Sequence, residues 1–263
     1  MKIYILYIIL FLLFSSCEDA AAVRDNPLDE DGGDYVSPIV NLLDIANGDT
    51  LFSETIQINL SGNDLVSEYR YKIDSYDWID WIEEGSITLN YLDEGDHQLS
   101  VQSRYLNGDT SDVARISFIV DAIGGPALMF YPRRHFAQAG ETVIFQILAE
   151  EVIDLMMSEI HLDYDPDMLE IISVSQGSFF QNGQNSIFIN EINSEGGFIQ
   201  INTALLDGDT PSTSGTGDLA EIQVKLLQGG SATLSFNGND AFIDPDNNHI
   251  PILEKINGLV VTK

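Results

Sequence analysis

Short segments in which apolar and polar residues alternate recur along the chain from about residue 39 onwards. Residues 55–60 and 99–102 alternate with a period of two, and the same pattern begins again at residue 115. Such alternation is typical of β-strands that turn one face towards a core. Turn-forming pairs that end in glycine separate these segments: Asn47-Gly48, Ser61-Gly62, Glu94-Gly95 and Asn107-Gly108. Because no helical stripe accompanies them, the pattern predicts an all-β sandwich over residues 37–122.

A second series of strand-like segments follows an interruption at residues 123–126, which read Ile-Gly-Gly-Pro. Apolar residues recur at 143–147, 160–164, 198–201, 219–227 and 232–236, with glycine-rich turns between them. The interruption predicts a domain boundary. Residues 126–263 suit one larger sandwich, which we predict to be a jelly roll. We expect each of the two parts to carry its own core and to fold independently.

The first 17 residues have a different pattern. Lys2 precedes an unbroken apolar run over residues 3–14, which is followed by Ser15, Ser16 and Cys17. The run is too short to span a hydrocarbon layer of about 30 Å, but it suits the apolar part of a secretory signal peptide. Its end resembles a bacterial lipobox, although Phe14 stands where leucine is usual. The resemblance implies a lipoprotein whose Cys17 is acylated.

Residues 18–36 are predicted to be a flexible tether. Between residues 18 and 38 there are seven acidic residues, one arginine and a Gly-Gly pair, with no periodic apolar positions. Together with the acylated cysteine, the tether predicts a location in the cell envelope. The chain would be anchored to the outer membrane or cell surface, would face the periplasm or the exterior, and would touch the membrane only through its lipid.

The overall charge narrows the choice of partners. The chain has 42 Asp and Glu against 11 Lys and Arg, which gives a formal net charge of −31. Phosphate backbones would repel such a chain, so nucleic acid is not an expected partner. The single cysteine excludes a disulfide or a thiolate metal cluster within the chain. No stretch after residue 17 has the length and apolarity of a membrane span.

Several motifs of the second part occur in an order that resembles a known family. They are Gly-Glu-Thr-Val at 140–143, Ile-His-Leu-Asp-Tyr-Asp-Pro-Asp-Met-Leu-Glu at 160–170, Val-Ser-Gln-Gly at 174–177, the glycine turn and strand at 215–222, the acidic loop at 244–248 and the last strand at 256–261. Over residues 127–262 this succession resembles the bacterial cohesin domain, which receives dockerins in cellulosomes. The resemblance implies a nine-stranded jelly-roll sandwich, related to carbohydrate-binding modules, without catalytic activity. The first sandwich is similar to the immunoglobulin-like and fibronectin III-like modules of bacterial surface proteins.

Residues that could support catalysis are few, so we predict that the chain is not an enzyme. The four histidines lie far apart and form no HExxH motif, and no G-x-S-x-G elbow is present. Among 42 acidic residues, a chance pair of carboxylates carries little weight.

The acidic loops could loosely bind a hard cation such as calcium through oxygen ligands. Residues 163–167 begin like an EF-hand loop, but Met168 and Val174 occupy the positions of the required glycine and glutamate, and the loop from residue 244 fails in the same two places. Loose calcium binding has weak candidates in Asp207, Asp209, Asp244 and Asp246. The favoured alternative is that these residues form solvated turns. No other metal or cofactor is expected.

Aromatic residues could provide a platform for sugars. Tyr76, Trp78 and Trp81 cluster in the first sandwich. Regular alternation would place the two tryptophans on opposite faces, so at most one would be exposed, and packing of a tryptophan in the core is the favoured interpretation. In the second part we expect four residues to lie in the core: Phe179, Phe180, Phe188 and Phe198.

The leading functional hypothesis is adhesion or scaffolding, in which one sheet face binds a dockerin-like module or another protein. A carbohydrate-binding protein in polysaccharide degradation is the alternative, and an accessory subunit of an enzyme complex is a third. In type I cohesins, an asparagine and an aspartate before the Tyr-Asp-Pro turn face the dockerin. Met157 and Glu159 occupy these positions here. The resemblance therefore implies a partner-binding site at Met157 and Glu159, with an apolar group in place of the amide.

Overall fold

The computed structural model describes residues 26–180, 185–206 and 211–262, and its secondary structure consists of β-strands joined by turns and loops. The predicted all-β class is confirmed. Cys17, the signal segment and residues 18–25 of the tether lie outside the described residues. Within the described ranges no helix is long and apolar enough to cross a membrane.

Seven strands form two sheets between residues 41 and 120. They are β1 (Asn41–Leu42), β2 (Thr50–Leu51), β3 (Ile56–Ser61), β4 (Val66–Ile73), β5 (Ser86–Leu89), β6 (Gly95–Tyr105) and β7 (Ala114–Val120). One sheet has the order β1-β3-β5 and the other β2-β7-β6-β4. The alternating residues of the sequence point inwards as predicted, since Ile58, Leu99 and Phe118 are almost fully buried in a shared core. Similarity to immunoglobulin or fibronectin modules stays a prediction.

The second part contains the strands β8 (Ala127–Tyr131), β9 (Arg134–Ala137), β10 (Thr142–Leu155), β11 (Met157–Asp163), β12 (Leu169–Gln176), β13 (Ser186–Asn193), β14 (Phe198–Leu205), β15 (Thr213–Leu226), β16 (Ser231–Phe236), β17 (Ala241–Ile243), β18 (His249–Ile250), β19 (Glu254–Ile256) and β20 (Gly258–Thr262). One sheet has the order β12-β15-β10-β8-β19. The other has the order β13-β14-β11-β16-β20-β9, with β17 and β18 joined to it through β11.

The number of segments exceeds the nine strands that the resemblance implied, for two local reasons. The first strand changes sheet at Pro132, so that β8 and β9 belong to different sheets. Three segments, β17, β18 and β19, are only two or three residues long. The architecture is nevertheless two sheets that enclose one core.

The core of the second part is built by inward residues of both sheets. Phe130 and Phe145 meet edge to face, with their ring centroids 5.4 Å apart. Phe179 and Phe180 are buried as predicted, and Phe188 packs against the core. Phe198 was predicted to be a core residue, and this is wrong. Side chains alternate between the two faces of strand β14, and Ile199 is fully buried. The side chain of its neighbour Phe198 therefore points away from the core.

Gly177 shows why one motif needs its glycine. Its N–H donates to the carbonyl of Leu219 at 3.0 Å. A Cβ at this position would lie 2.1 Å from the carbonyl oxygen of Asp218. Any side chain would therefore push the end of β12 away from β15.

The join between the two parts is packed. Ile123 is buried in a small cluster with Ala127 and Met129. The Glu94 carboxylate accepts hydrogen bonds from the N–H groups of Ala122 and Ile123 at 3.0 and 3.1 Å. The Gly-Gly-Pro segment is thus held by both sandwiches, which the sequence did not indicate.

Arg133 is the main polar anchor across this join. Its side chain is 7% exposed and forms an ion pair with Glu54 of the first part. Its guanidinium also donates to the carbonyl of Leu92, and its backbone N–H donates to Asp93 Oδ1 at 2.6 Å. Because the charge is buried, it depends on these partners from the other sandwich.

Independent folding of residues 37–122 and 126–263 stays a prediction. The contacts at the join determine how much stability each fragment loses on separation. Each fragment has its own core, so both should show β-type circular dichroism and cooperative melting when expressed alone. Separation removes the Glu54, Leu92 and Asp93 contacts of Arg133, so both fragments should melt below the intact chain. A fragment that does not melt cooperatively would contradict the proposed boundary.

His97 lies next to this anchor and is held by two acceptors. Its Nδ1 is 2.7 Å from Asp74 Oδ2, and its Nε2 is 2.8 Å from the carbonyl oxygen of Asp93. Burial lowers the pKa of His97, but the hydrogen bonds to Asp74 and to Asp93 outweigh it, so the pKa is raised overall. The imidazolium form can donate to both acceptors at once.

The raised pKa predicts a pH-dependent stability. The contribution of His97 should be fully present below its unfolded pKa of about 6.5 and should be lost as the pH rises through the higher folded pKa. Denaturant unfolding between pH 5 and pH 9 should show this loss. Asp74→Asn should remove most of it, whereas the exposed control Asp96→Asn should retain it. A pH dependence unchanged in Asp74→Asn would contradict this assignment.

Candidate functional site

Strand β11 carries both residues that the sequence assigned to partner binding. Its burial alternates strictly: Ser158, Ile160 and Leu162 point into the core, whereas Met157 and Glu159 point outwards and are half-buried. The strand therefore presents Met157 and Glu159 on one surface of the sheet. This placement agrees with the predicted geometry, and their role in binding stays a prediction.

The outward side chains of β13, β14, β11 and β17 form a surface that we call the outer face. In the register of these strands, Met157 pairs with Ala204 on one side and Ile243 on the other, and Ala204 pairs with Ile187. Directly paired residues share a face of the sheet. An apolar row thus crosses all four strands, and its end at Ile243 is buried.

The next row of the outer face is mixed in character. Glu159 pairs with Asn202 and with Ala241, and Asn202 pairs with Ile189. Ile189 is 60% exposed, although it lies within a strand. Such an exposed β-branched residue beside a carboxylate and an amide makes the surface part apolar and part polar, as is common for protein-binding surfaces.

Ile187 and Ile189 were not singled out in the sequence, but a signal was present. Residues 187–189 read Ile-Phe-Ile, and a strand can bury only alternate members of such a run. Phe188 packs against the core, so both isoleucines are left outside.

A buried ion pair fixes β11 beneath the outer face. The Asp240 side chain is fully buried, and its Oδ2 lies 2.7 Å from Lys255 Nζ. Its Oδ1 accepts a hydrogen bond from the backbone N–H of His161 at 2.7 Å. Residues 237–240 connect β16 and β17, which both pair with β11. Asp240 therefore holds β11 in register between these two pairings.

The two tryptophans occupy the same side of the first sandwich, so the expectation of opposite faces is wrong. The guanidinium of Arg70 lies 4.8 Å from the ring centroid of Trp78 and 4.7 Å from that of Trp81. Arg104 approaches Trp81 to 4.4 Å. Neither tryptophan belongs to the core cluster of this sandwich, so the favoured core interpretation is also wrong.

A bulge explains the difference. Ile79 hydrogen-bonds to Tyr71 of β4, and Ile82 hydrogen-bonds to Tyr69. A step of three residues along one segment therefore lies opposite a step of two along the other. Alternation is lost between Trp78 and Trp81. Each of the two rings is approached by two cations, Trp78 by Arg70 and Lys72 and Trp81 by Arg70 and Arg104, which leaves both tryptophans poorly placed to stack on a sugar.

The acidic loop at residues 244–248 is organised by its own hydrogen bonds. Asp244 Oδ1 accepts from the backbone N–H of Asn248 at 2.8 Å, and its Oδ2 accepts from the Asn248 amide at 3.0 Å. These bonds lower the pKa of Asp244. In the described ranges, no three His, Cys, Asp or Glu residues are grouped so as to hold a metal. Asp207 and Asp209 lie outside those ranges, and calcium binding by them or by Asp244 and Asp246 stays a prediction.

Comparison with known proteins identifies the family of the second part. The family model described as "Cohesin domain" matches residues 134–258. This range includes the whole outer face and the Tyr-Asp-Pro turn. No curated protein matches the chain.

Solved structures similar to this chain include several cohesins. A non-cellulosomal cohesin from Archaeoglobus fulgidus is 22% identical, with a TM-score of 0.43, over 52% of this chain and 90% of that one. A type II cohesin from the Acetivibrio cellulolyticus cellulosome is 14% identical, with a TM-score of 0.46, over 51% and 94% of the two chains. A type I cohesin in a Clostridium thermocellum cohesin–dockerin complex is 15% identical, with a TM-score of 0.44, over 52% and 98%.

The family match supports the resemblance that the ordered motifs indicated: residues 134–258 match the cohesin domain.

Proposed function

We propose that the chain is a non-catalytic cell-surface lipoprotein whose cohesin domain binds a protein partner through the outer face. One observation carries the proposal. The apolar row through Ile187 and Met157, with the 60%-exposed Ile189 beside it, lies outside the core on a regular sheet. Isolated exposed apolar residues need no explanation, but a row across several strands favours a binding surface.

The chemistry of the outer face describes the expected partner. Met157 offers a flexible apolar surface, and Glu159 offers a carboxylate. The partner should therefore place an apolar side chain against Met157 and Ile187, and a cation or hydrogen-bond donor against Glu159. A dockerin that relies on an amide at position 157 would leave groups unpaired, at a cost of about 1–3 kcal/mol each.

The N-terminal part supports a location at the cell envelope. The proposed lipid on Cys17 would attach the chain to a membrane, and the acidic residues 18–36 would hold the sandwiches away from it. A partner could then reach the outer face from outside.

Carbohydrate binding in polysaccharide degradation is the alternative function, and Trp78 and Trp81 lend it little support because cations cover their rings. An accessory role within an enzyme complex would use the same outer face as the scaffolding role.

The first test measures binding to dockerins and to natural partners. We expect negligible binding to a panel of ordinary cellulosomal dockerins by calorimetry. We also expect one specific protein to be captured from the native secretome with the full chain as bait. Met157→Asp and Ile189→Asp should each reduce that capture at least tenfold, because each buries a charge in the apolar part of the interface.

Ile172→Asp is the matched control for this test. Ile172 is an isoleucine that is 44% exposed on β12, in the opposite sheet. Capture that survives Met157→Asp and Ile189→Asp, or that is lost equally in Ile172→Asp, would show that the outer face is not the recognition surface.

The second test concerns the anchor. Acylation requires the Cys17 thiol, so Cys17→Ser should abolish palmitate incorporation and release the chain from the membrane fraction. Ser15→Ala, which keeps a small residue before the cysteine, should remain lipidated. Radiolabel that persists in Cys17→Ser would contradict the lipoprotein assignment.

A further inference from the structure

A cavity of about 640 Å³ opens where the two sandwiches meet. Its walls come from both parts: Tyr76, Asn90 and Tyr91 from the first, and Arg134 and Phe136 from the second. The volume falls within the range of about 300–1,000 Å³ that is usual for small-molecule sites, which often lie between domains. The family match begins at residue 134, so most of the residues that line this cavity lie outside the matched range.

Arg134 is the unusual group in this cavity. Its guanidinium has no hydrogen bond and no ion pair with any residue of the described ranges, although the chain carries 42 acidic residues. Its Nε is buried without a hydrogen-bond partner. Arg133, next to it in the chain, is paired with Glu54. A guanidinium with unused donors at a cavity wall fits an anionic ligand group.

Aromatic rings hold Arg134 in place. The guanidinium carbon lies 5.1 Å from the ring centroid of Tyr91 and 4.7 Å from that of Phe136. Tyr76 packs edge-on against Phe136, with a centroid distance of 5.6 Å, and its hydroxyl donates to the Arg134 carbonyl. These contacts orient the cation without neutralising it.

Tyr91 is presented by a backbone conformation that bulky residues avoid. Its φ is 59°, in the left-handed region, and the residue is 48% exposed. Glycine or asparagine is usual at such positions, so a tyrosine there points to a use for its ring. The ring of Tyr76, which is 38% exposed, lies at the same cavity. A ligand with a C–H-rich face could pack between these rings.

Some of the remaining polar side chains of the wall are already hydrogen-bonded, and others are not. Asp74 and Asp93 are engaged, since they bond to His97 and to the Arg133 N–H. Asn90 and Asp77 also line the cavity, and neither side chain makes a hydrogen bond within the described residues. Amide and carboxylate oxygens are suitable acceptors for hydroxyl groups.

From these features we propose that the junction cavity binds a uronic acid, which is a pyranose ring that carries one carboxylate. The carboxylate pairs with Arg134, the ring packs on Tyr91 and Tyr76, and the hydroxyls donate to Asn90 and Asp77. A net charge of −31 opposes a long polyanion, so the ligand is one acidic ring at a chain end or between neutral sugars. This site is separate from the outer face and does not rest on the proposed partner binding.

The test uses the full chain and a matched pair of ligands. Methyl glucuronide and methyl glucoside differ only in whether the pyranose carries a carboxylate, and methyl galacturonide extends the comparison. Titrations followed by amide NMR shifts should give saturable binding of at least one uronide, at least tenfold tighter than that of its neutral counterpart. The shifts should concentrate at the residues of the cavity, and added salt should weaken the binding.

Variants distinguish the cavity from general charge attraction. Arg134→Gln should weaken uronide binding at least tenfold, and Tyr91→Gly should weaken it while relieving the backbone strain. Arg115→Gln is the matched control, because Arg115 is exposed on β7 and loses the same charge outside the cavity. Melting curves of all three variants should stay close to that of the parent chain.

Four results would overturn the proposal. They are an absence of saturable shifts with both uronides, equal binding of acidic and neutral sugars, binding that persists in Arg134→Gln, and binding of benzoate as tight as that of the uronides. The last result would show that the cavity recognises a flat carboxylate rather than a sugar acid.

Discussion

The period of two along each strand is the constraint on which the rest of this molecule depends. A strand that buries Ser158, Ile160 and Leu162 must turn Met157 and Glu159 to the other side. The same rule leaves Ile187 and Ile189 outside when Phe188 packs against the core. The core and the outer face are therefore two consequences of one alternation, and a shift of one residue in register would exchange them.

Alternation and turn chemistry made the fold class and most strands predictable. The segments at 55–60, 99–102 and 143–147 fall within or overlap strands β3, β6 and β10. Ordered motifs then indicated the cohesin family, and Gly177 shows that at least one motif residue is fixed by a close backbone approach. Met157 and Glu159 were assigned from the resemblance, by counting back from the Tyr-Asp-Pro turn, and their role in binding stays a prediction.

Predictions failed where regular geometry ends. A bulge beside β4 places Trp78 and Trp81 on one side, and no periodic rule applies across it. Phe198 was assigned to the core by its apolar character alone, whereas the phase of β14 decides its direction. The junction contacts of Arg133 and the cavity beside Arg134 join residues that are far apart in the chain, such as Arg133 with Asp93 and with Glu54, and Arg134 with Tyr91. A single sequence carries no local signal for such pairs.

The sheet change at Pro132 has a mechanical consequence. The chain enters the second sandwich through β8 and β9 and leaves it through β19 and β20, and these entry and exit strands pair in parallel. Tension applied between the N-terminal part of the chain and the end of β20 would pull the paired strands in opposite directions along their length. The hydrogen bonds of each pair would then bear the load together, whereas an antiparallel hairpin pulled from its open end loses them one after another. A domain whose first and last strands pair in parallel resists shear applied through its two ends.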